Sequence, residues 1–445
     1  MRRVALGIAL AVAISSGALA QDPWGDPFRA FDQGRYAEAG QAAEAELAED
    51  PENPVWWALA AEARSKLDQN RAAAAAFARA AEFERDATKR SYYLRAQVLH
   101  LIRSGQVKDA RELIVQVEAD ASLDASNSLD WAMVAIAAGD DETAQGILGN
   151  PDLLQSFTRQ TALDAAYSAK RLGMDDRASR FFARGLALDE QEDARLDPEL
   201  RENIRLEIRE LQRKWAVLAQ TSYSSAGRPD GLVPLGDQEA LQSGLEVSRR
   251  FGGWRNGRPI SLFLRAFHTE FIGEASGGNA TQGWIGARYK PFAKLNLNVE
   301  ASRLVGLDSQ ALDDWSLRGA FSSTRGLEAE PGMTDWDYVH FYSDITYLLD
   351  NDLAFGISEG RYGRSFAAGD AVTITPYALA RASLDTGRVE EGSLGAAAGL
   401  TARFRFDQGD TVAHRGWIDF DVQLRQRIAG DDSASGVLAS ITIGR

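Results

Sequence analysis

Two periodicities divide the chain. Through residues 27–213 apolar positions recur at three- and four-residue spacing, as in Leu94, Val98, Leu101 and Ile102, which predicts amphipathic helices. From Trp215 onward the period becomes two. Leu295, Leu297, Val299 and Ala301 alternate with Asn296, Asn298, Glu300 and Ser302. Ile418, Phe420, Val422 and Leu424 alternate in the same way with Asp419, Asp421, Gln423 and Arg425. About twelve such runs follow one another, at roughly 215–224, 240–250, 259–271, 282–290, 294–303, 314–323, 338–349, 353–364, 372–383, 392–406, 415–428 and 436–444. Glycine, Asp, Asn and Pro punctuate them, as at Ser276-Gly277-Gly278-Asn279 and Asp350-Asn351-Asp352. The expected fold class is α + β in separate domains: an all-α repeat solenoid over 21–213, then an antiparallel transmembrane β-barrel of about 12 strands over 214–445.

The helical half repeats. A turn residue is followed five positions later by alanine at Gly34/Ala39, Asn70/Ala75, Gly105/Ala110, Gly139/Ala144 and Gly173/Ala178, so the turn recurs at intervals of 36, 35, 34 and 34 residues. A period near 34 is that of the tetratricopeptide repeat, a pair of helices that stacks on its neighbours. The turn residue closes the first helix and the alanine lets two backbones approach. Such a stack presents a concave binding surface, which implies a protein partner or a nascent polymer without naming it.

The N-terminus carries Arg2 and Arg3, an apolar stretch from Val4 to Ile14 and the small-residue site Ala18-Leu19-Ala20, the pattern of a cleaved signal peptide over 1–20. That places the chain outside the cytoplasm. It has no cysteine, so packing and hydrogen bonds must hold it together without disulfides. A net charge of −15 and the lack of a long basic run argue against a nucleic-acid surface.

Alternation alone also fits a soluble β-sandwich. The signal peptide, the even strand count and strands near ten residues favour the barrel, with an aromatic belt from Trp215, Tyr289, Trp315, Phe321, Phe341, Tyr347 and Phe406. The polar face then lines a lumen. It carries Arg265, Arg288, Arg318, Arg381, Arg403, Arg405, Arg425 and Arg427 with Glu300, Asp344, Asp419 and Asp421. These side chains form either a ladder of cross-strand ion pairs that packs the interior or a basic lining that guides an anionic polymer. Phe263, Phe267, Trp284, Tyr342 and Tyr377 fall on the same face, where rings either stack on sugars or fill space. Connector lengths fit less well: 324–337 is long where a short turn is expected, and 350–352 is short where a long loop is expected.

Several ordered stretches resemble one family. Tyr289-Lys290-Pro291-Phe292 precedes Leu295-Asn296-Leu297 and Asp314-Trp315-Ser316-Leu317-Arg318. Gly363-Arg364-Ser365-Phe366, Thr375-Pro376-Tyr377 and Ala429-Gly430-Asp431-Asp432 follow. Over roughly 240–445 this series resembles the C-terminal domain of the bacteriophage adsorption protein A family. The resemblance implies an outer-membrane barrel behind periplasmic helical repeats, similar in architecture to the outer-membrane subunits that export cellulose and poly-N-acetylglucosamine. It further implies an exopolysaccharide as cargo and an inner-membrane glycosyltransferase system as partner.

Catalysis finds little footing. The four histidines, His100, His268, His340 and His414, form no pair at metal-ligand spacing and none accompanies a serine-nucleophile motif. No glycine-rich phosphate loop is present. The expectation is a non-enzymatic outer-membrane protein without cofactor or metal. It serves either as an export channel with a periplasmic adaptor or as a non-conducting scaffold or surface receptor anchored by its barrel.

Overall fold

A computed structural model describes residues 26–119, 128–225, 239–272, 279–308, 311–326, 328, 332–387, 392–430 and 435–445. The expected signal segment and most of the 225–239 connector lie outside them. The chain forms two compact units, divided between Ser156 and Phe157.

The first unit contains α1 (Pro27–Asp32), α2 (Tyr36–Glu49), α3 (Pro54–Lys66), α4 (Asn70–Phe83), α5 (Ala87–Arg103), α6 (Val107–Ala119), α7 (Ser128–Ala138) and α8 (Asp141–Ile147). Local chemistry sets the helix starts. Asp26, Asn53 and Asp86 each accept a hydrogen bond from a first-turn N–H, and Pro27 and Pro54 occupy first-turn positions where no donor is needed. Helix ends are equally regular. Gly34, Gly105 and Gly139 have φ of 77°, 82° and 71°, and the residue after each donates its N–H to the carbonyl five positions back, closing the helix.

The second repeat corrects the sequence register. There the left-handed residue is Asp68 (φ 57°), and Gln69 N–H closes onto Arg64 O at 2.9 Å, as Arg35 N–H does onto Ala30 O. Asp68 thus stands where Gly34 stands, and the fully buried alanine five residues on is Ala73, whereas Ala75 is exposed. The pair Asn70/Ala75 is two residues out of phase, because aspartate also tolerates the left-handed conformation. Ala39, Ala110 and Ala144 are fully buried in their registers.

Asn70 has another use. Its Oδ1 accepts a hydrogen bond at 2.9 Å from Nδ1 of His100, whose ring stacks on Phe77 at 5.6 Å. Burial, aided by Arg103, lowers the His100 pKa from 6.5 to about 4. The unfolded chain therefore binds the proton first. This unit should lose stability as pH falls from about 6.5 toward 4 and show little further dependence on this group below that. Thermal unfolding of the full chain across that range should show a slope that His100→Gln reduces; an unchanged slope contradicts the neutral buried ring.

The second unit holds α9 (Arg159–Arg171), α10 (Asp175–Asp189), α11 (Pro198–Gln212) and twelve strands. Gly173 (φ 72°) ends α9, and Ala178 is fully buried in α10. The strands are β1 (Trp215–Ser224), β2 (Ala240–Phe251), β3 (Ile260–Phe271), β4 (Ala280–Tyr289), β5 (Asn296–Gly306), β6 (Asp314–Arg325), β7 (Asp335–Leu348), β8 (Leu353–Ala367), β9 (Val372–Asp385), β10 (Gly392–Phe406), β11 (Gly416–Gly430) and β12 (Gly436–Gly444). Each pairs antiparallel with its sequence neighbours. β1 closes onto β12 from Leu218↔Gly444 to Ser224↔Leu438, which leaves no edge. The expected helical half followed by a closed twelve-stranded barrel is the observed fold.

The faces follow the alternation. Leu262, Leu264, Ile285, Trp315, Ile345, Val422, Leu424 and Ile428 point outward and are exposed, as are the belt aromatics apart from the half-buried Phe321. An apolar band on the outside of a closed sheet is the surface of an outer-membrane barrel. No helix among the described residues is long and apolar enough to cross a membrane.

Two connections on the helix side contact α11, the long 324–337 connection through Glu328 and the 407–415 connection, which accounts for the long connection there but not for the short 350–352 turn at the other end. Arg205 donates to Gly409 O at 2.7 Å and to Val412 O at 3.3 Å. Arg209 donates to His414 O at 3.1 Å and faces Glu328 at 3.5 Å. The α11 face bearing Ile204, Ile208 and Leu211 is buried, so this highly charged helix is packed into its unit. The β2–β3 turn joins in: Trp254 N–H donates to Asp175 and Asn256 Nδ2 donates to Arg171 O at 2.9 Å. Gly253 (φ 71°) is required there, since a Cβ would meet Asp175 Oδ2 at 2.2 Å.

Candidate functional site

The lumen face of the barrel collects charge that the alternation alone can direct inward. On β2–β7 three guanidinium groups meet three carboxylates. Arg265 contacts Glu246 at 2.6 Å and Glu300 at 3.3 Å; Arg288 contacts Glu300 at 2.6 Å and Glu246 at 3.0 Å. Arg318 reaches Glu300 at 3.3 Å and Asp344 at 2.6 Å, and donates to the Tyr342 hydroxyl at 2.5 Å. Glu300 sits at the centre, 3% exposed, with three arginines around it. Phe263 floors the cluster, its ring 4.8 Å from Arg265 and 5.1 Å from Arg288.

A second network spans β8–β11. Asp421 accepts from the Tyr377 hydroxyl at 2.6 Å, from Thr401 at 2.5 Å and from Gln423 at 2.8 Å, and faces Arg361 at 3.4 Å. Arg361 also pairs with Glu359 at 2.5 Å. Arg403 holds Asp419 through two bonds, at 2.5 and 2.7 Å, beneath the Trp417 ring. Arg405, buried, donates to Thr373 at 2.7 Å and lies 3.5 Å from Glu328. Since Glu328 also faces Arg209 of α11, one carboxylate links the lumen wall to the helix seated over that end.

These braces often skip a strand. Tyr377 on β9 and Arg361 on β8 both reach Asp421 on β11, so the bonds cut across the interior rather than only laddering along neighbours. Two lumenal aromatics lie over glycines of the paired strand: Phe267 over Gly244 and Tyr377 over Gly399, where a Cβ would meet ring atoms at 2.2 and 2.4 Å. A cavity of about 240 Å³ opens among these side chains. Inward side chains of β7 to β12 and of β1 line it, among them Tyr338, His340, Thr375, Trp417, Gln220 and Ser440.

The structure thus places Arg265, Arg288, Arg318, Arg403, Glu300, Asp344, Asp419 and Asp421 in contact networks. Arg381 lies inward opposite Glu359 in the β8–β9 register. Arg425 donates to Gln423 at 2.9 Å, and Arg427 lies near the far mouth, donating to Gly430 O at 2.8 Å. Sequence reading passed over Glu246, Glu359, Arg361 and Glu328. Glu246 sits between Leu245 and Val247, and that alternation could have found it. Glu359 and Arg361 are separated by glycine, which blurs the period, and Glu328 lies on a connector with no period at all. His268 points outward and donates to or accepts from Thr281 at 2.9 Å, while His340 points inward beside Thr324; no group of metal-ligating side chains occurs among the described residues.

Among solved structures, the chain is similar to the COG4313 outer membrane channel from Pseudomonas putida F1. The identity is 10%, with 52% of this chain and 93% of that chain covered at a TM-score of 0.30. A bacterial polysaccharide outer membrane secretin matches at 8% identity over 52% of this chain and 97% of its own, with a TM-score of 0.29. MamA from Desulfovibrio magneticus RS-1 matches at 16% identity over 38% of this chain and 93% of its own, with a TM-score of 0.32. No curated protein matches the chain in sequence. Residues 273–441, which hold β4 to β11 and most of β12, match the family described as bacteriophage N adsorption protein A C-term.

Proposed function

We propose that the barrel is the outer-membrane passage of an exopolysaccharide export system, with the helical repeats in the periplasm as its adaptor toward an inner-membrane glycosyltransferase. The observation that carries this reading is the chemistry of the lumen. Rings of Phe263, Phe267, Trp284, Tyr338, Tyr377 and Trp417 lie beside guanidinium–carboxylate pairs. That combination suits a sugar chain, whose apolar ring faces stack and whose hydroxyls exchange hydrogen bonds. An uncharged or weakly charged glycan fits better than a polyanion, because most of the arginines have carboxylate partners.

The strand-skipping braces favour a second reading, a barrel whose interior is cross-braced and which anchors a scaffold or a receptor such as one for phage adsorption. Planar-bilayer recordings of the full chain, and of a chain lacking residues 21–156, separate the two. That cut is placed at 156 because α9–α11 pack with the barrel. Export requires discrete conductance that added neutral oligosaccharide blocks. Silence in both proteins contradicts export and leaves the anchored scaffold.

A further inference from the structure

We infer that the lumen holds a discrete binding site for one ring of a neutral sugar chain, in the cavity of about 240 Å³ lined by Gln220, Tyr338, Asp419, Asp421, Ser440 and Thr442. This site, which rests on the reading of the barrel as a sugar passage, gives that passage a fixed point of contact. The cavity is smaller than the roughly 300–1,000 Å³ pockets that take drug-sized ligands, and it suits a single pyranose.

The ladder arranges the polar lining in two rungs. Asp419 registers with Arg403 on one side and Thr442 on the other, and Thr442 registers with Gln220. On the next rung Asp421 registers with Thr401 and Ser440. Neighbouring strands lie about 4.8 Å apart and successive inward residues about 7 Å apart, the scale of one sugar ring and its hydroxyls. The two sides of these rungs differ in what is already bonded. On β8–β11 the charges are paired, Arg403 with Asp419 and Arg361 with Asp421. On β12 and β1 the Ser440 and Thr442 hydroxyls and the Gln220 amide have no hydrogen-bond partner among the described residues, nor has the Tyr338 hydroxyl on β7. Each carboxylate oxygen of Asp419 accepts one bond from Arg403 and keeps a second lone pair. A ligand hydroxyl can donate to that lone pair while it accepts from Thr442.

These groups select the class of ligand. It is neutral, because the charged side chains of the lining are two arginines and two aspartates in mutual pairs. A phosphate or carboxylate would find no unpaired cation among them and would face two like charges. The ligand is rich in hydroxyls, because the unbonded groups both donate and accept. It also has an apolar face, because Trp417 and Leu438 complete the lining. The indole is laid over Gly444, where a Cβ would meet it at 2.6 Å, and Arg403 lies 4.5 Å from its ring. A sugar ring combines all three properties. Trp417 is the second residue of β11, so the cavity begins close to the helix-side end of the barrel, at an entrance.

The test uses the full chain in phosphatidylcholine nanodiscs, free of sugar-headed detergent. Calorimetric titration would compare the neutral probes cellotetraose and N-acetylchitotetraose with the anionic tetragalacturonate. A neutral tetrasaccharide should bind at one site per barrel, and tetragalacturonate roughly tenfold more weakly or less. Ser440→Ala/Thr442→Val removes hydroxyls but no charge, and should weaken neutral binding roughly tenfold to a hundredfold. The lumenal control Asn296→Ala/Asn298→Ala on β5 should leave it unchanged. Heat-modifiable migration confirms the fold of each protein, and Tyr338→Phe serves as a second variant if the first does not fold. No binding of either neutral tetrasaccharide, tighter binding of tetragalacturonate, or equal loss in variant and control overturns the site. Conductance of the same proteins tests the passage separately. A silent barrel that binds sugar with the expected dependence keeps the site and loses the passage. A conducting barrel whose block by sugar ignores Ser440→Ala/Thr442→Val keeps the passage and overturns the site.

Discussion

Leu424→Arg should destabilise the barrel by roughly 2–4 kcal/mol, the cost of a cation facing hydrocarbon near mid-membrane depth. Leu424 lies near the middle of β11, points outward and is 63% exposed. Its neighbour Arg425 points into the lumen, where it donates to Gln423 at 2.9 Å. Arg425→Leu should cost less, since it removes polar contacts from the lumen but places no charge in hydrocarbon. The same contrast should separate Leu297→Arg from Asn296→Arg on β5, since those two residues also occupy opposite faces. Urea unfolding in detergent or lipid measures all four. Equal penalties on both faces would mean that neither surface meets hydrocarbon.

Glu300→Ala should be the most damaging substitution in the lumen, at roughly 3–5 kcal/mol. The carboxylate is buried and accepts from Arg265, Arg288 and Arg318. Without it the cluster keeps three guanidinium groups against only Glu246 and Asp344, and an uncompensated buried cation is the costly case. Glu300→Gln, which keeps the volume and an acceptor but not the charge, should fall between alanine and wild type. The result decides what the lumenal arginines are. A large loss makes them paired braces of the interior. A loss as mild as that of Arg425→Leu would mean that solvent holds them, and the basic-lining reading would stand.

The barrel was legible because its signal is local. Strand period, turn residues and an apolar outer face are all written within ten residues of one another, so twelve runs can be read without knowing which pairs with which. Partners within the lumen are another matter. Tyr377 and Arg361 meet Asp421 only because closure brings β8, β9 and β11 together, and no spacing in the chain encodes that. Glu328 was invisible for the same reason, since a connector has no face. The repeat register failed at one turn because a turn glycine was sought there and Asn70 stood nearest in spacing, whereas Asp68 itself takes the left-handed conformation that glycine takes in the other repeats. The seating of α11 could not be read either, since Arg205 and Arg209 look solvated until Glu328 and the connector 407–415 are placed against them.

The absence of cysteine makes the central claim directly measurable, because single cysteines can be introduced without removing any. Phe420, Asp421, Val422, Gln423, Leu424 and Arg425 would each be replaced by cysteine, labelled with an environment-sensitive fluorophore and reconstituted with brominated lipid. Quenching should alternate strictly, strong at 420, 422 and 424 and weak at 421, 423 and 425, as a lipid-facing and a lumen-facing surface require. Uniform quenching, or none at any of the six positions, would contradict a membrane-spanning barrel with a polar interior.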